Sequence, residues 1–175
     1  DIVFIAVPTP TTPEGFDYSI VEEMISLVGD GKIAVIKSTI LPGTTQKIQD
    51  KYPEKVVLFS PEFLCESTAA YDVAHPMFNI MGLSYDSAGH RKAANEVMRT
   101  LPKSDHNFTV NAKAAELFKY THNLNGYMRV VMSNLFYDAA QKMNIDWSDV
   151  KLIMDNDPMM SPYYNSPIHK SGRGA

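Results

Sequence analysis

Four clusters in this 175-residue sequence combine residue types that can do chemistry. The first is Val7-Pro8-Thr9-Pro10, which follows an apolar run. At the carboxyl end of a strand in an open parallel sheet, such a turn offers a rigid backbone edge to a flat ligand. The same residues also fit a loop that proline merely stiffens. The second is Lys37-Ser38-Thr39, with Pro42-Gly43-Thr44-Thr45 opening a helix. Hydroxyls and free N–H groups at a helix N-terminus suit a phosphate or a bound water, or Thr44 or Thr45 is simply the N-cap. The third, Ser60-Pro61-Glu62-Phe63-Leu64-Cys65-Glu66, places two carboxylates four residues apart, a pattern for acid/base work and ligand binding. A nucleophilic thiol needs electropositive surroundings, so Cys65 beside Glu66 reads as a small buried hydrophobe. The fourth lies between Glu116 and Asn123, where Lys119 and Asn123 share a helix face and can bring an ammonium and an amide to one oxygen. The competing reading makes Glu116, Lys119 and Asn123 a solvated stripe with a helical ion pair. The five histidines form no i, i+4 pair and no cluster, which predicts no metal site.

The elements that must position these clusters follow from hydrophobic periodicity. Continuous apolar runs at 2–7, 33–37 and 56–59 read as parallel strands covered on both faces. Apolar residues at helical spacing predict a helix over 17–28, with Asp17 or Ser19 as N-cap, and a shorter helix over 43–51. This alternation is that of a doubly wound α/β sheet. It continues as a strand at 77–81, an amphipathic helix over 87–101 and a short strand at 108–110. Asn111 then reads as the N-cap of one long helix over 112–143, bent near Gly126, that links two domains or packs on a partner subunit. A short helix over 146–154 and an irregular, proline-bearing end complete the chain. The domains expected are therefore 1–110 and 111–175.

Composition excludes several classes. With 45% hydrophobic and 21% charged residues the chain has enough apolar content for a core. Its 16 Lys+Arg against 20 Asp+Glu give a net charge of −4, with no basic surplus for a nucleic-acid backbone. No apolar run is long enough to span a bilayer and the N-terminus has no secretory signal pattern, so the chain reads as soluble and cytoplasmic. A single cysteine permits no intramolecular disulfide. The apolar run starting directly after Asp1 and the glycine-rich end read as those of an internal fragment.

The order of motifs carries more than any one of them. VFIAVPTP at 3–10, KSTILPGTT at 37–45, SPEFLCESTAAYD at 60–72 and AAELFKYTHN at 114–123 together resemble the UDP-glucose/GDP-mannose dehydrogenase family over nearly the whole chain. The resemblance implies a partial Rossmann-like domain, a long connecting helix and an all-α central dimerisation domain. It implies NAD-dependent oxidation of a sugar C6 alcohol twice, through a thiohemiacetal and a thioester, to a uronic acid. UDP-glucose is the expected substrate, with GDP-mannose and N-acetylated UDP-sugars as alternatives. By the same likeness Val7, Pro8, Thr9, Pro10, Ser38 and Thr39 line the cofactor, and Thr39 holds the hydrolytic water. Glu62 does acid/base work, and Glu66 touches the cofactor and places water. Lys119 and Asn123 stabilise the oxyanion, while Phe63, Leu64, Cys65 and Lys170 contact the sugar nucleotide. The long helix mediates a homodimer. The sequence contains no G-x-G-x-x-G and no Gly-Gly-x-Cys nucleophile motif, although Gly172-Arg173-Gly174-Ala175 resembles the lead-in to the latter. Cys65 occupies a different position and is not that nucleophile. Residues 158–164 lack the arginine the family carries there. The piece alone is therefore expected to be inactive. The reading from another class is a non-catalytic dimerisation or regulatory module, marked by loss of Glu62, Lys119 or Asn123; all three are present.

Overall fold

The computed structural model describes residues 1–160, Asn165 and Ser166. In chain order β1 (Ile2–Ile5) leads through a small hairpin, β2 (Thr11–Thr12) and β3 (Gly15–Phe16), to α1 (Ser19–Ser26). Then come β4 (Ile33–Ile36), α2 (Thr44–Lys51), β5 (Val56–Phe59), a 3-10 turn (Glu66–Thr68) and α3 (Ala69–Ala74). The remainder is β6 (Asn79–Leu83), α4 (Ala88–Met98), β7 (Asn107–Asn111), α5 (Ala112–Lys142) and α6 (Trp147–Asn156). The chain divides into two compact units. One is Asp1–Leu64 with Thr68–Lys119, and the other is Cys65–Ser67 with the chain from Tyr120 onward.

In the first unit the five strands run in the order β1-β4-β5-β6-β7. The alternation of apolar residues sends neighbours to opposite faces. Ala34 and Ile36 of β4 join Ile25 of α1, Ile48 of α2 and Ala112 and Ala115 of α5. Ile33 and Val35 instead join Ala93, Ala94 and Val97 of α4 on the other face. β4 is buried throughout, which is why it reads as a continuous apolar run.

The sheet departs from the all-parallel expectation at one step. β1, β4 and β5 are parallel, β6 pairs antiparallel with β5, and β7 pairs parallel with β6. A parallel step needs a crossover that travels the length of the sheet. Between β5 and β6 the chain has only six-residue α3 beside its 3-10 turn, about 9 Å of helix. The chain enters β6 from the end at which β5 left. The eleven residues of α4 are long enough to restore a parallel step. β6 also lies two residues beyond its expected place, because Met77 is exposed while Asn79 bonds to the Pro102 carbonyl and to Asn107.

Asn111 caps α5 as expected, its Oδ1 accepting from the Lys113 N–H at 2.9 Å. Gly126 does not interrupt the helix. The first turn of α5 sits directly on Gly82 of β6, where an added Cβ would lie 2.8 Å from the Ala112 Cα. In the second unit Asp146 caps α6 by accepting from the Ser148 N–H, and Trp147 packs edge-on against Tyr137 at 5.7 Å. Leu124, Leu135 and Phe136 of α5 are exposed.

Gly82→Ala is expected to destabilise the protein by about 1–3 kcal/mol, because backbone on both sides must move apart. Urea unfolding monitored by circular dichroism measures this, as a lowered midpoint at unchanged slope.

Candidate active site

The carboxyl ends of β1, β4 and β5 carry three of the four clusters. Where the β1–β4 ladder stops, side chains continue it. The Ser38 hydroxyl accepts from the Val7 N–H at 2.8 Å and donates to the Val7 carbonyl at 2.7 Å. The Thr9 hydroxyl donates to the Thr39 carbonyl at 2.7 Å. Two clusters about thirty residues apart in sequence are thus stitched into one ledge. Pro8 and Pro10, which lack N–H groups, stand exposed on it.

One strand further, the Ser60 N–H donates to the Ile36 carbonyl, and the chain turns outward through buried Pro61 to Glu62. Two ammonium groups converge on that residue. Lys37 Nζ lies 3.0 Å from Glu62 Oε2 and 3.4 Å from the Ser60 hydroxyl. Lys119 Nζ donates to the Glu62 carbonyl at 2.5 Å and stands 4.7 Å from the centre of the Phe63 ring. Phe63 in turn packs against Phe78 at 4.8 Å and Phe118 at 5.7 Å, while Phe78 and Phe118 are 5.9 Å apart. This aromatic wall takes Lys119 out of water. Burial lowers the pKa of its amine from the ordinary lysine value, and the Glu62 charge opposes the shift only in part.

Glu116 overturns two expectations. It is not on a solvated stripe but has no exposed surface. Its Oε1 accepts from the Thr45 N–H at 2.8 Å and from the Thr45 hydroxyl at 2.6 Å, and its Oε2 accepts from the Gly43 N–H. The α2 N-terminus is therefore neither capped by a threonine nor open to a phosphate, since a carboxylate from α5 already takes its donors. Gly43, at φ 96°, supplies the left-handed turn that aims them. No local pattern announces this, because a glutamate three residues before a lysine on a helix usually faces water.

Lys37 joins the site by its ammonium, although the sequence marked that cluster for its hydroxyls. A cation directly after a fully buried strand was the available signal. Leu64 is exposed. Cys65, Glu66 and Asn123 fall in the second unit. Cys65 is buried, as expected, with Sγ 3.2 Å from the Ser67 hydroxyl. Glu66 and Asn123 are exposed. Lys170 lies outside the described residues, and no cluster of metal-ligating side chains occurs among those described.

The setting of Lys119 has a measurable consequence. In competitive labelling with acetic anhydride across pH, Lys119 is expected to gain reactivity at lower pH than the exposed lysines. In Glu62→Gln the midpoint falls further, because the carboxylate charge that opposes desolvation is gone. A Lys119 midpoint matching that of the exposed lysines would contradict this.

Comparison with known proteins gives the site its context. Residues 1–102 match the NAD binding domain of the UDP-glucose/GDP-mannose dehydrogenase family, and residues 113–173 match that family's central domain. A UDP-glucose 6-dehydrogenase of Campylobacter jejuni is 30% identical over 95% of this chain and 44% of its own length. A GDP-mannose 6-dehydrogenase of Pseudomonas aeruginosa is 29% identical over 95% of this chain and 42% of its own. The structure of a UDP-glucose dehydrogenase from Pyrobaculum islandicum superposes with a TM-score of 0.82 at 26% identity, covering 94% of this chain and 41% of that one. The chain thus spans less than half the length of these relatives. The Rossmann-like sheet, the stitched strand ends and both domain matches agree: this chain belongs to the UDP-glucose/GDP-mannose dehydrogenase family.

Proposed function

We propose that this chain is part of an NAD-dependent nucleotide-sugar 6-dehydrogenase that oxidises the C6 alcohol of UDP-glucose to UDP-glucuronate in two hydride transfers. The observation that carries the reading is the Lys119 ammonium, held against Phe63 and the Glu62 carbonyl beside the Glu62 carboxylate. A poorly solvated cation with a fixed position is suited to an oxygen that becomes negative only in the transition state. Asn123, one helical turn further along α5, supplies the amide partner in this reading.

The ledge of Val7, Pro8, Thr9 and Pro10, pinned by Ser38 and Thr39, fits one flank of NAD. The α2 N-terminus does not fit the pyrophosphate, because Glu116 fills it. These residues, with Glu66, therefore hold and orient part of the dinucleotide. When bound, NAD supplies the hydride acceptor. Glu62 exchanges protons with the reacting oxygen, and the Thr39 hydroxyl holds the hydrolytic water while its carbonyl is engaged by Thr9. Phe63, Leu64, Cys65 and Lys170 contact the sugar nucleotide. Exposed Leu117, Leu124 and Leu135 on α5 support a homodimer through 112–143.

The test is a side-by-side assay of the full-length enzyme with UDP-glucose, GDP-mannose and N-acetylated UDP-sugars. UDP-glucose is expected to give the highest kcat/KM, and a higher value for another sugar transfers the assignment to it. Lys119→Ala is expected to lower kcat by about 10²–10³-fold with KM changed only a few-fold, the sign of an interaction made in the transition state. An effect confined to KM would remove Lys119 from that role.

A further inference from the structure

Glu62 has to keep one orientation through two oxidations, and its own surroundings leave it loose. Its side chain is 37% exposed, and its ion pair with Lys37 is closest at Oε2. Its backbone is held at the carbonyl by Lys119. Among the described residues, the carboxylate itself is ion-paired with Lys37. We propose that Lys37 is a positioning residue that fixes Oε2 of Glu62 and thereby presents Oε1 for proton transfer; this rests on the dehydrogenase reading above.

Several observations make Lys37 suited to the task. It is the first residue past β4, whose four residues are all buried, and its N–H donates to the Ile5 carbonyl at 2.8 Å. Its backbone therefore has no freedom to drift. Its side chain is only 16% exposed, so the stem is packed and the ammonium has few alternative positions. Both groups its ammonium meets, the Ser60 hydroxyl by a hydrogen bond and Glu62 Oε2 by an ion pair, belong to the segment leaving β5. A close ion pair at the end of a packed stem restricts where Oε2 can sit. Lys37 and Lys119 thus share one residue between them, the first gripping its side chain and the second its main chain.

An ion pair with one partner this open adds little to stability. Its value lies in orientation, since a misplaced reacting group loses rate steeply. The two roles separate experimentally in a double-mutant cycle on the full-length enzyme. In Lys37→Met, kcat is expected to fall about 10–100-fold with KM for the nucleotide sugar within about threefold and the melting temperature within a few degrees. Lys37→Arg, which keeps the charge, should recover most of the rate. In the Glu62→Gln background, Lys37→Met should change kcat by less than about twofold, because there is no carboxylate left to orient. An unchanged kcat in the single Lys37→Met variant overturns the proposal. So does an equal fall in both backgrounds, which identifies a general structural role. If the wild-type enzyme oxidises no nucleotide sugar, the dehydrogenase reading fails first and visibly, and the proposal falls with it.

Discussion

A carboxylate without exposed surface survives only where donors replace the water it has lost, and Glu116 finds three of them at the start of α2. The helix dipole adds to the attraction, since the N-terminus is the positive end. This contact ties α5 to the segment between β4 and α2, two pieces more than seventy residues apart in sequence. Both sides of the site hang from it. Lys119 lies three residues beyond Glu116, close to one turn, so its place over Phe63 follows from where Glu116 is anchored. Thr39 and Ser38 lie just upstream of Gly43, so the ledge they pin to β1 shares the same anchor.

The electrostatics around Glu62 are asymmetric in a useful way. Lys37 faces a full carboxylate, which compensates it. Lys119 faces a carbonyl and an aromatic ring, which compensate it less. Burial among these weaker partners lowers the basicity of Lys119. A developing negative charge nearby would therefore gain more from Lys119 than from Lys37, which already has its anion.

Much of this was legible from residue order. β4 and β5 announce themselves as continuous apolar runs because both faces are covered. The long helix is legible because a capping asparagine precedes some thirty residues without proline. The clusters at Ser38 and Glu62 were legible because each directly follows such a strand. Other features were hidden for physical reasons. A short apolar segment such as β6 has the same pattern whichever way it runs, so its reversal could not be read. The brief α3 and the two-residue arms of the hairpin are too short to show a period. The burial of Glu116 depends on a partner more than seventy residues away, which no local spacing encodes.

The seating of α5 on Gly82 bears on how this chain can vary in length. Lys119 lies seven positions beyond Ala112, which touches Gly82, about two turns or about 10 Å of helix. Inserting or deleting one residue there would rotate everything beyond it by about 100° and slide it by about 1.5 Å. Glu116 and Lys119 could not then both keep their partners. Lys113 and Ala114 face outward, so their identities are free to change while the count between the two seats is not. The opening of α5 thus works as a ruler, with its zero mark at a glycine that has no room for a methyl group.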